Sequence, residues 1–253
     1  MKLAGTVHPA RLLYSTMWSV LDWIFPPSCG GCQKVGARWC DDCQSQLNLL
    51  GDPVCPICGE PQDSPLLCPG CQAEPPTYRM VRSAAEHSGP LRHAIHRMKY
   101  ENDIGLGEVL SKHLIELYNH LKWNVDIIAP VPLSASRMRE RGYNQSSLLA
   151  RPLAYAIQKP YRPRILYRTK ETRTQVGLSA RERARNVAGA FTAMPQLVRG
   201  NVVLLVDDVT TTGSTINACA QALIESGASA VFGITLARAL LKREADNQPH
   251  NSI

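Results

Sequence analysis

Asp207 and Asp208 stand side by side, and two residues later begins Thr210-Thr211-Thr212-Gly213-Ser214-Thr215. Threonine and serine hydroxyls are hydrogen-bond donors, and a glycine lets the backbone approach an anion closely. A helical pattern opens at Ser214 or Thr215, with Ile216, Cys219, Ala220, Leu223 and Ile224 at helical spacing. The free N–H groups at a helix start, together with its dipole, make such a loop a site for a phosphate. Adjacent carboxylates repel that phosphate, but they suit the hydroxyls of a sugar beside it, or a metal ion. The ligand these residue types imply is a ribose 5-phosphate unit. Positioning them requires a rigid strand, and Val202-Val203-Leu204-Leu205-Val206 is an unbroken apolar run of the kind buried on both faces of a parallel sheet. On this reading the strand ends where Asp207 begins.

A second set of chemically committed residues lies near the N-terminus. Eight of nine cysteines form four C-x-x-C pairs: Cys29/Cys32, Cys40/Cys43, Cys55/Cys58 and Cys68/Cys71. Each pair offers two thiolates to one ion, and two pairs complete a tetrahedral zinc site. Two structural zincs would replace the hydrophobic burial that so short a segment lacks. Sequential pairing gives two ribbons in tandem, and spacing does not exclude a cross-braced arrangement. Cys219, alone in its helical segment, reads as a buried apolar residue.

The net charge is +7, but its distribution says more. Ala129–Arg199 holds 14 of the 28 Lys/Arg residues against three acids, Glu140, Glu171 and Glu182, while the remainder is net acidic. Polyanions, whether a polyphosphorylated sugar or single-stranded nucleic acid, would be drawn to that segment. The sequence lacks a secretory signal pattern, because Lys2 is isolated and Asp22 interrupts the one apolar candidate. No run has the length needed to cross a bilayer. The expectation is a cytoplasmic protein without membrane insertion, in which cysteines stay reduced unless metal-bound.

Along the chain, residues 1–27 carry an apolar helical pattern closed by Pro26-Pro27, 28–76 the cysteine module, 77–241 a larger domain and 242–253 a polar tail. In the larger domain Met80–His87 and Val125–Val131 predict strands, and Pro90–Tyr100 and Asp103–Leu121 predict helices. Ser146–Gln158 predicts a helix bent at Pro152, and Arg164–Arg168 another strand. Thr169–Gly177 reads as a basic loop, Ser179 with Glu182 as a helix start, and Ala230–Ala237 as a last apolar strand. Strands alternating with helices predict an α/β fold with a parallel sheet, whose ligands sit beyond the carboxyl ends of the strands. Pro130–Ser134 and Asp207–Thr215 would share that edge. Between them Arg137, Arg139, Arg141 and Tyr143 combine charge with a ring able to stack on single strands. A Walker B or receiver-domain reading of the acid pair fails: no Gly-Lys pair exists for a P-loop, and the acids come late in the domain.

The apolar strand, acid pair and Thr-Thr-Gly-x-Thr resemble the phosphoribosyl pyrophosphate (PRPP) loop of type I phosphoribosyltransferases. Several further motifs, in order, resemble the ComF family of amidophosphoribosyltransferase-like proteins. They are Phe25-Pro26-Pro27 ahead of Cys29, the four knuckles, and Leu91…Met98-Lys99-Tyr100. They continue with Pro130-Val131-Pro132-Leu133, Arg141-Gly142-Tyr143-Asn144-Gln145 and Gln175…Ala190-Phe191, and the PRPP loop completes them. The resemblance spans about Phe25 to Ala239, with Tyr143 where the family often has Phe. It implies a type I phosphoribosyltransferase fold, parallel sheet flanked by helices, preceded by a double zinc ribbon. It also implies a cytoplasmic role in handling imported single-stranded DNA, with DNA-uptake or recombination proteins as partners.

An enzyme of this kind passes through an oxocarbenium-like ribose as pyrophosphate leaves. Asp207 and Asp208 would be catalytic, holding ribose hydroxyls or the Mg²⁺ bound with PRPP. Val209, Thr210, Thr211, Thr212, Gly213, Ser214 and Thr215 would grip the 5-phosphate, Ser134 and Arg137 the pyrophosphate. Arg173, Arg181 and Arg183 would belong to a closing loop. Three alternatives stay open: a transferase of nucleotide metabolism, a PRPP sensor or DNA-binding protein without turnover, and a ribbon that serves only as a hood over the acceptor pocket. No residue announces the acceptor.

Overall fold

The computed structural model describes residues 26–170, 182 and 186–240. The N-terminal helical pattern, most of the basic loop with Arg173, Arg181 and Arg183, most of the helix expected from Ser179 and the polar tail lie outside the described residues.

The cysteine module holds only two single-turn helices, α1 (Asp41–Ser45) and α2 (Pro69–Ala73). Then follow β1 (Met80–Glu86), α3 (Gly89–Tyr100), α4 (Leu106–Leu121), β2 (Ile127–Pro130), α5 (Ala135–Arg141) and α6 (Gln145–Ala156). The chain continues through β3 (Leu166–Arg168), β4 (Phe191–Ala193), α7 (Pro195–Val198), β5 (Val202–Thr210), α8 (Ser214–Glu225) and β6 (Ala230–Arg238). Four strands form one parallel sheet in the order β1-β6-β5-β2, and β3 pairs antiparallel with β4 in a small separate ribbon.

The apolar run predicts β5 because nothing in it is polar, and the sheet places it centrally, with β6 on one side and β2 on the other. Alternate residues feed two cores. Leu204 and Val206 pack with Leu110, Leu114, Leu149 and Leu153 of α4 and α6, while Val203 and Leu205 pack with Ile216 and Leu223 of α8 and with Cys55, Cys58 and Cys71. The second ribbon is thus part of the sheet's own core.

Two boundaries differ from the sequence reading. β5 does not stop before its acids but runs on to Thr210, because β6 continues alongside and pairs Asp207 with Thr235 and Val209 with Ala237. Polar side chains do not end a strand whose backbone remains bonded to a neighbour. Second, the arginine-rich segment after Ser134 folds as a short helix, α5. Ser134 caps its start by accepting from the Arg137 N–H at 3.4 Å, and Gly142 ends it at φ +75°.

Candidate functional site

The carboxyl ends of β5 and β2 lie side by side, since Val131 N–H donates to the Val206 carbonyl at 2.9 Å just past the end of β2. Asp207 and Asp208 are both buried at this edge. Ser146, in the first turn of α6, donates its hydroxyl to Asp207 Oδ1 at 2.8 Å. Lys99, near the end of α3, puts Nζ 2.5 Å from Asp208 Oδ2. The environments split the pair. Burial, and then the charge of Asp208, push Asp207 up to about 7. Burial would also raise Asp208, but the Lys99 ammonium outweighs it and holds that carboxyl below its ordinary range. One acid is poised near neutrality and the other is fixed as an anion.

Beyond the acids the chain turns sharply into α8. Gly213 is the residue before the helix and adopts φ +77°, a left-handed conformation that favours glycine. A Cβ there would sit 2.9 Å from the Tyr78 hydroxyl. The Thr212 and Ser214 hydroxyls are 2.7 Å apart, and Thr210 is buried beneath them. Val209, Thr211, Thr212, Ser214 and Thr215 are partly exposed along the same turn. Acid pair, left-handed glycine and helix start therefore follow one another within a single turn at this edge.

Ser134 is buried at the neighbouring strand end, 3.0 Å from the Ser136 hydroxyl, and Arg137 is half-buried one turn into α5. The basic segment does not present a single face. Arg139 is exposed, but Arg141 is buried, donating to Gln145 Oε1 at 3.0 Å and lying over the Tyr100 ring at 4.9 Å. Tyr143 donates its hydroxyl to the Met98 carbonyl at 2.7 Å. Asn144 caps α6 through the Ser146 N–H at 3.0 Å and donates to the Val131 carbonyl at 2.9 Å. Arg141-Gly142-Tyr143-Asn144-Gln145 is a joint that aims Ser146 at Asp207.

The eight knuckle cysteines gather sequentially into two tetrads, Cys29/Cys32/Cys40/Cys43 and Cys55/Cys58/Cys68/Cys71. In each, all four sulfurs lie within 4.8 Å of one another. Cys29 to Cys43 is 3.6 Å, Cys32 to Cys40 3.7 Å and Cys58 to Cys68 3.6 Å. Four thiolates about 2.3 Å from a zinc ion would be about 3.8 Å apart, so the sets fit it. The backbone N–H groups of Cys40 and Cys68 point at the sulfurs of Cys29 and Cys55, at 3.5 and 3.4 Å. Without a cation the sulfurs cannot all ionise: burial and neighbouring sulfurs push the Cys58 thiol up to about 12. Tetrahedral metal fits both sets, and the cross-braced alternative is excluded.

Residues 20–72 match the family model of the double zinc ribbon domain, and residues 110–251 that of the phosphoribosyl transferase domain. The chain is 36% identical over 207 residues to DNA utilization protein YhgH of Escherichia coli K12, covering 79% of this chain and 90% of that protein. It is 34% identical over 211 residues to Competence protein F of Haemophilus influenzae, covering 79% and 90%. The chain belongs to the ComF family. Competence protein ComFC of Bacillus subtilis is a more distant ComF relative, 25% identical over 213 residues, or 81% of this chain and 86% of that one. Among solved structures, adenine phosphoribosyltransferase of Thermoanaerobacter pseudethanolicus aligns at 18% identity and a TM-score of 0.35 over 55% of this chain and 83% of that one. A phosphoribosyltransferase-type parallel sheet follows a double zinc ribbon, and the tetrads are its structural zinc sites. Among the described residues no helix is long and apolar enough to cross a membrane.

Sequence reasoning missed Lys99, Ser146 and Tyr78 as parts of this site, and Arg238, whose guanidinium donates to the Thr211 carbonyl at 2.9 Å. Lys99 stood in the Met98-Lys99-Tyr100 motif of the family resemblance but with no role attached to it, and Ser146 was one of two serines starting another helix. Arg238, a charge closing the apolar run of β6, was the one clear local signal.

Proposed function

We propose that this ComF protein binds PRPP at the edge formed by β5 and β2 and acts as a phosphoribosyltransferase. The observation that carries the proposal is the buried, unequally charged pair Asp207/Asp208 directly ahead of a left-handed glycine and a hydroxyl-rich helix start. Thr211–Thr215 would hold the 5-phosphate through backbone N–H groups and hydroxyls, which costs little reorganisation because the loop is already turned. Asp207 and Asp208 would take the ribose hydroxyls, and their charge would favour a cationic ribose over its neutral ground state. Asp208, already ionic, and Asp207 are also the groups that would hold Mg²⁺, which when bound neutralises the departing pyrophosphate. Ser134 and Arg137 lie where that pyrophosphate would rest. Lys99 would leave Asp208 for the ligand as the sugar arrives.

Calorimetry with ribose 5-phosphate and PRPP, with and without Mg²⁺, tests binding, and pyrophosphate release across a panel of bases tests turnover. Asp207→Asn with Asp208→Asn should abolish turnover. It should weaken ribose 5-phosphate binding roughly a hundredfold, the worth of two charge-assisted hydrogen bonds at about 1.5 kcal/mol each. Unchanged affinity in that double variant refutes the site.

The names of the relatives, DNA utilization protein and competence protein, support a role connected with DNA, which on our reading is the cytoplasmic handling of imported single strands. Arg139, exposed, and Arg137, half-buried, are the accessible cations of α5 for that contact. Oligonucleotide affinity should fall steeply with salt and weaken in Arg137→Ala/Arg139→Ala, and an unchanged salt slope would remove α5 from the contact surface.

A further inference from the structure

We propose that Arg238 is a positioning residue for the phosphate loop, through which metal in the second cysteine tetrad and an anion on Thr211–Thr215 strengthen each other's binding. This rests on the proposed ligand site, and goes beyond it by giving the second ribbon a part in ligand binding.

Arg238 ends β6 and is 1% exposed. Its guanidinium donates to three acceptors drawn from two places. Two belong to the second ribbon: the Glu60 carboxylate at 2.6 Å and the carbonyl of Cys58, itself a metal ligand. The third is the Thr211 carbonyl of the phosphate loop, at 2.9 Å. A buried guanidinium needs both a counter-charge and acceptors for its N–H groups. Here the counter-charge comes from the ribbon and not from the sheet that carries the arginine. If the knuckle at Cys55–Cys58 opens, Arg238 keeps only Thr211 and must find solvent or another partner.

The Thr211 contact has a direct consequence for an anion. In a planar trans peptide the carbonyl and the following N–H point in opposite directions. With the Thr211 carbonyl held on Arg238, the Thr212 N–H points away from it, as an anion-binding loop requires. The electrostatics agree, since a zinc tetrathiolate carries a net charge of about −2 and a phosphate is also negative. Arg238 is the cation between them.

Two further contacts join the same parts. Tyr78, buried in the core cluster that contains Cys55, Cys58 and Cys71, carries the hydroxyl that closes on Gly213. Thr77, where the chain leaves the ribbon, donates its N–H to Asn217 Oδ1 and its hydroxyl to Gln221 Oε1, both at 2.7 Å, on α8. The second tetrad, the loop and the helix behind it are therefore one connected unit. The first tetrad has no such contact among the described residues: Arg97 binds its Cys29 carbonyl from α3.

The test follows zinc leaving the full-length, zinc-loaded protein into the chelating dye pyridylazoresorcinol, with and without saturating ribose 5-phosphate. Coupling between sites is reciprocal, so the ligand should slow release of one of the two zincs by about fivefold or more and leave the other unchanged. Cys32→Ser, which breaks only the first tetrad, should keep the slowed phase and so assign it to the second. Glu60→Gln is nearly isosteric and keeps an amide oxygen for Arg238, and the side chain is partly exposed, so it should fold. It should lose most of the slowing and weaken ribose 5-phosphate binding by a similar factor. The proposal is overturned if wild-type protein binds ribose 5-phosphate while neither zinc, or both equally, are protected, or if Glu60→Gln keeps full protection. A wild type that binds no ribose 5-phosphate at all would instead overturn the ligand site together with the coupling built on it.

Discussion

The two ribbons are near copies in sequence, C-x2-C-x7-C-x2-C and C-x2-C-x9-C-x2-C, yet they are built into the protein differently. Each has an arginine that donates to the carbonyl of a cysteine ligand: Arg97 to Cys29 at 2.9 Å, Arg238 to Cys58. The carboxylate that neutralises Arg97 is Asp103, at 2.7 Å, which precedes α4. The one that neutralises Arg238 is Glu60, from the ribbon itself. Cys32 of the first tetrad is exposed, whereas Cys55, Cys58 and Cys71 join the core of the sheet. The first ribbon sits on α3 and α4, and the second is bonded through Arg238 to Thr211 of the proposed phosphate loop. Identical ligand sets can therefore have unequal consequences, because a ribbon acts through whatever its knuckle carbonyls are bonded to.

Ligand substitution should expose that inequality most strongly. A structural zinc contributes about 10–16 kcal/mol of apparent binding at neutral pH, so a broken tetrad loses much of its local stability. Both Cys32→Ser and Cys55→Ser should lower bound zinc from two per chain to one, as measured by metal analysis. Cys55→Ser should also lose ribose 5-phosphate binding and lower the global melting temperature, since its sulfur lies within the sheet core. Cys32→Ser should keep ligand affinity within about twofold, well under 1 kcal/mol. Equal loss of ligand affinity in the two variants would erase the distinction.

Much of this arrangement was legible in sequence because it is local. A tetrahedral site needs two knuckles, and an anion loop of the kind proposed needs strand, glycine and helix start within a few residues, so Cys29–Cys71 and the strand–turn–helix of Val202–Thr215 are both readable locally. Which knuckles pair was not legible, because seven or nine intervening residues reach either partner. Lys99 and Ser146 were hidden because they meet the acids from α3 and α6, from positions 61 residues away or more along the chain. The segment Arg137–Tyr143 reads from composition as one basic face with a ring, whereas Arg141 is buried on Gln145 and the Tyr143 hydroxyl is bonded to Met98. The capping rules held the better clue: a glycine after one helix and an asparagine before the next mark a joint.

A methyl group added to each first knuckle sharpens the comparison at intermediate cost. Gly59 adopts φ +71°, and a Cβ there would lie 2.6 Å from the Val81 carbonyl oxygen, which is backbone of β1. Gly30 lacks the left-handed φ, and its Cβ would meet the tips of Leu106, also at 2.6 Å. A side-chain end can rotate away, but a sheet carbonyl cannot. Gly59→Ala should cost about 2 kcal/mol or more, from left-handed strain together with the displaced strand. Gly30→Ala should cost about 1 kcal/mol. Denaturant unfolding of the two variants measures the order, and a larger loss in Gly30→Ala would mean that the first ribbon is the more tightly built.

The smallest effect should come from the arginine of the first ribbon. Arg97 donates to the Cys29 carbonyl, to Ser28 Oγ at 3.1 Å and to Asp103 Oδ2 at 2.7 Å, a fork that a lysine cannot reproduce. Arg97→Lys keeps the charge beside Asp103 and forfeits one or two of the three bonds, worth about 1–2 kcal/mol together. Zinc should leave the first tetrad faster, since the Cys29 loop is then held by fewer bonds, while release from the second tetrad and affinity for ribose 5-phosphate stay as in the wild type. The invariance is the informative half of the result. Should Arg97→Lys weaken ligand binding as Glu60→Gln is expected to, the coupling would be a general consequence of ribbon stability, and the special standing of the arginine at the end of β6 would be lost.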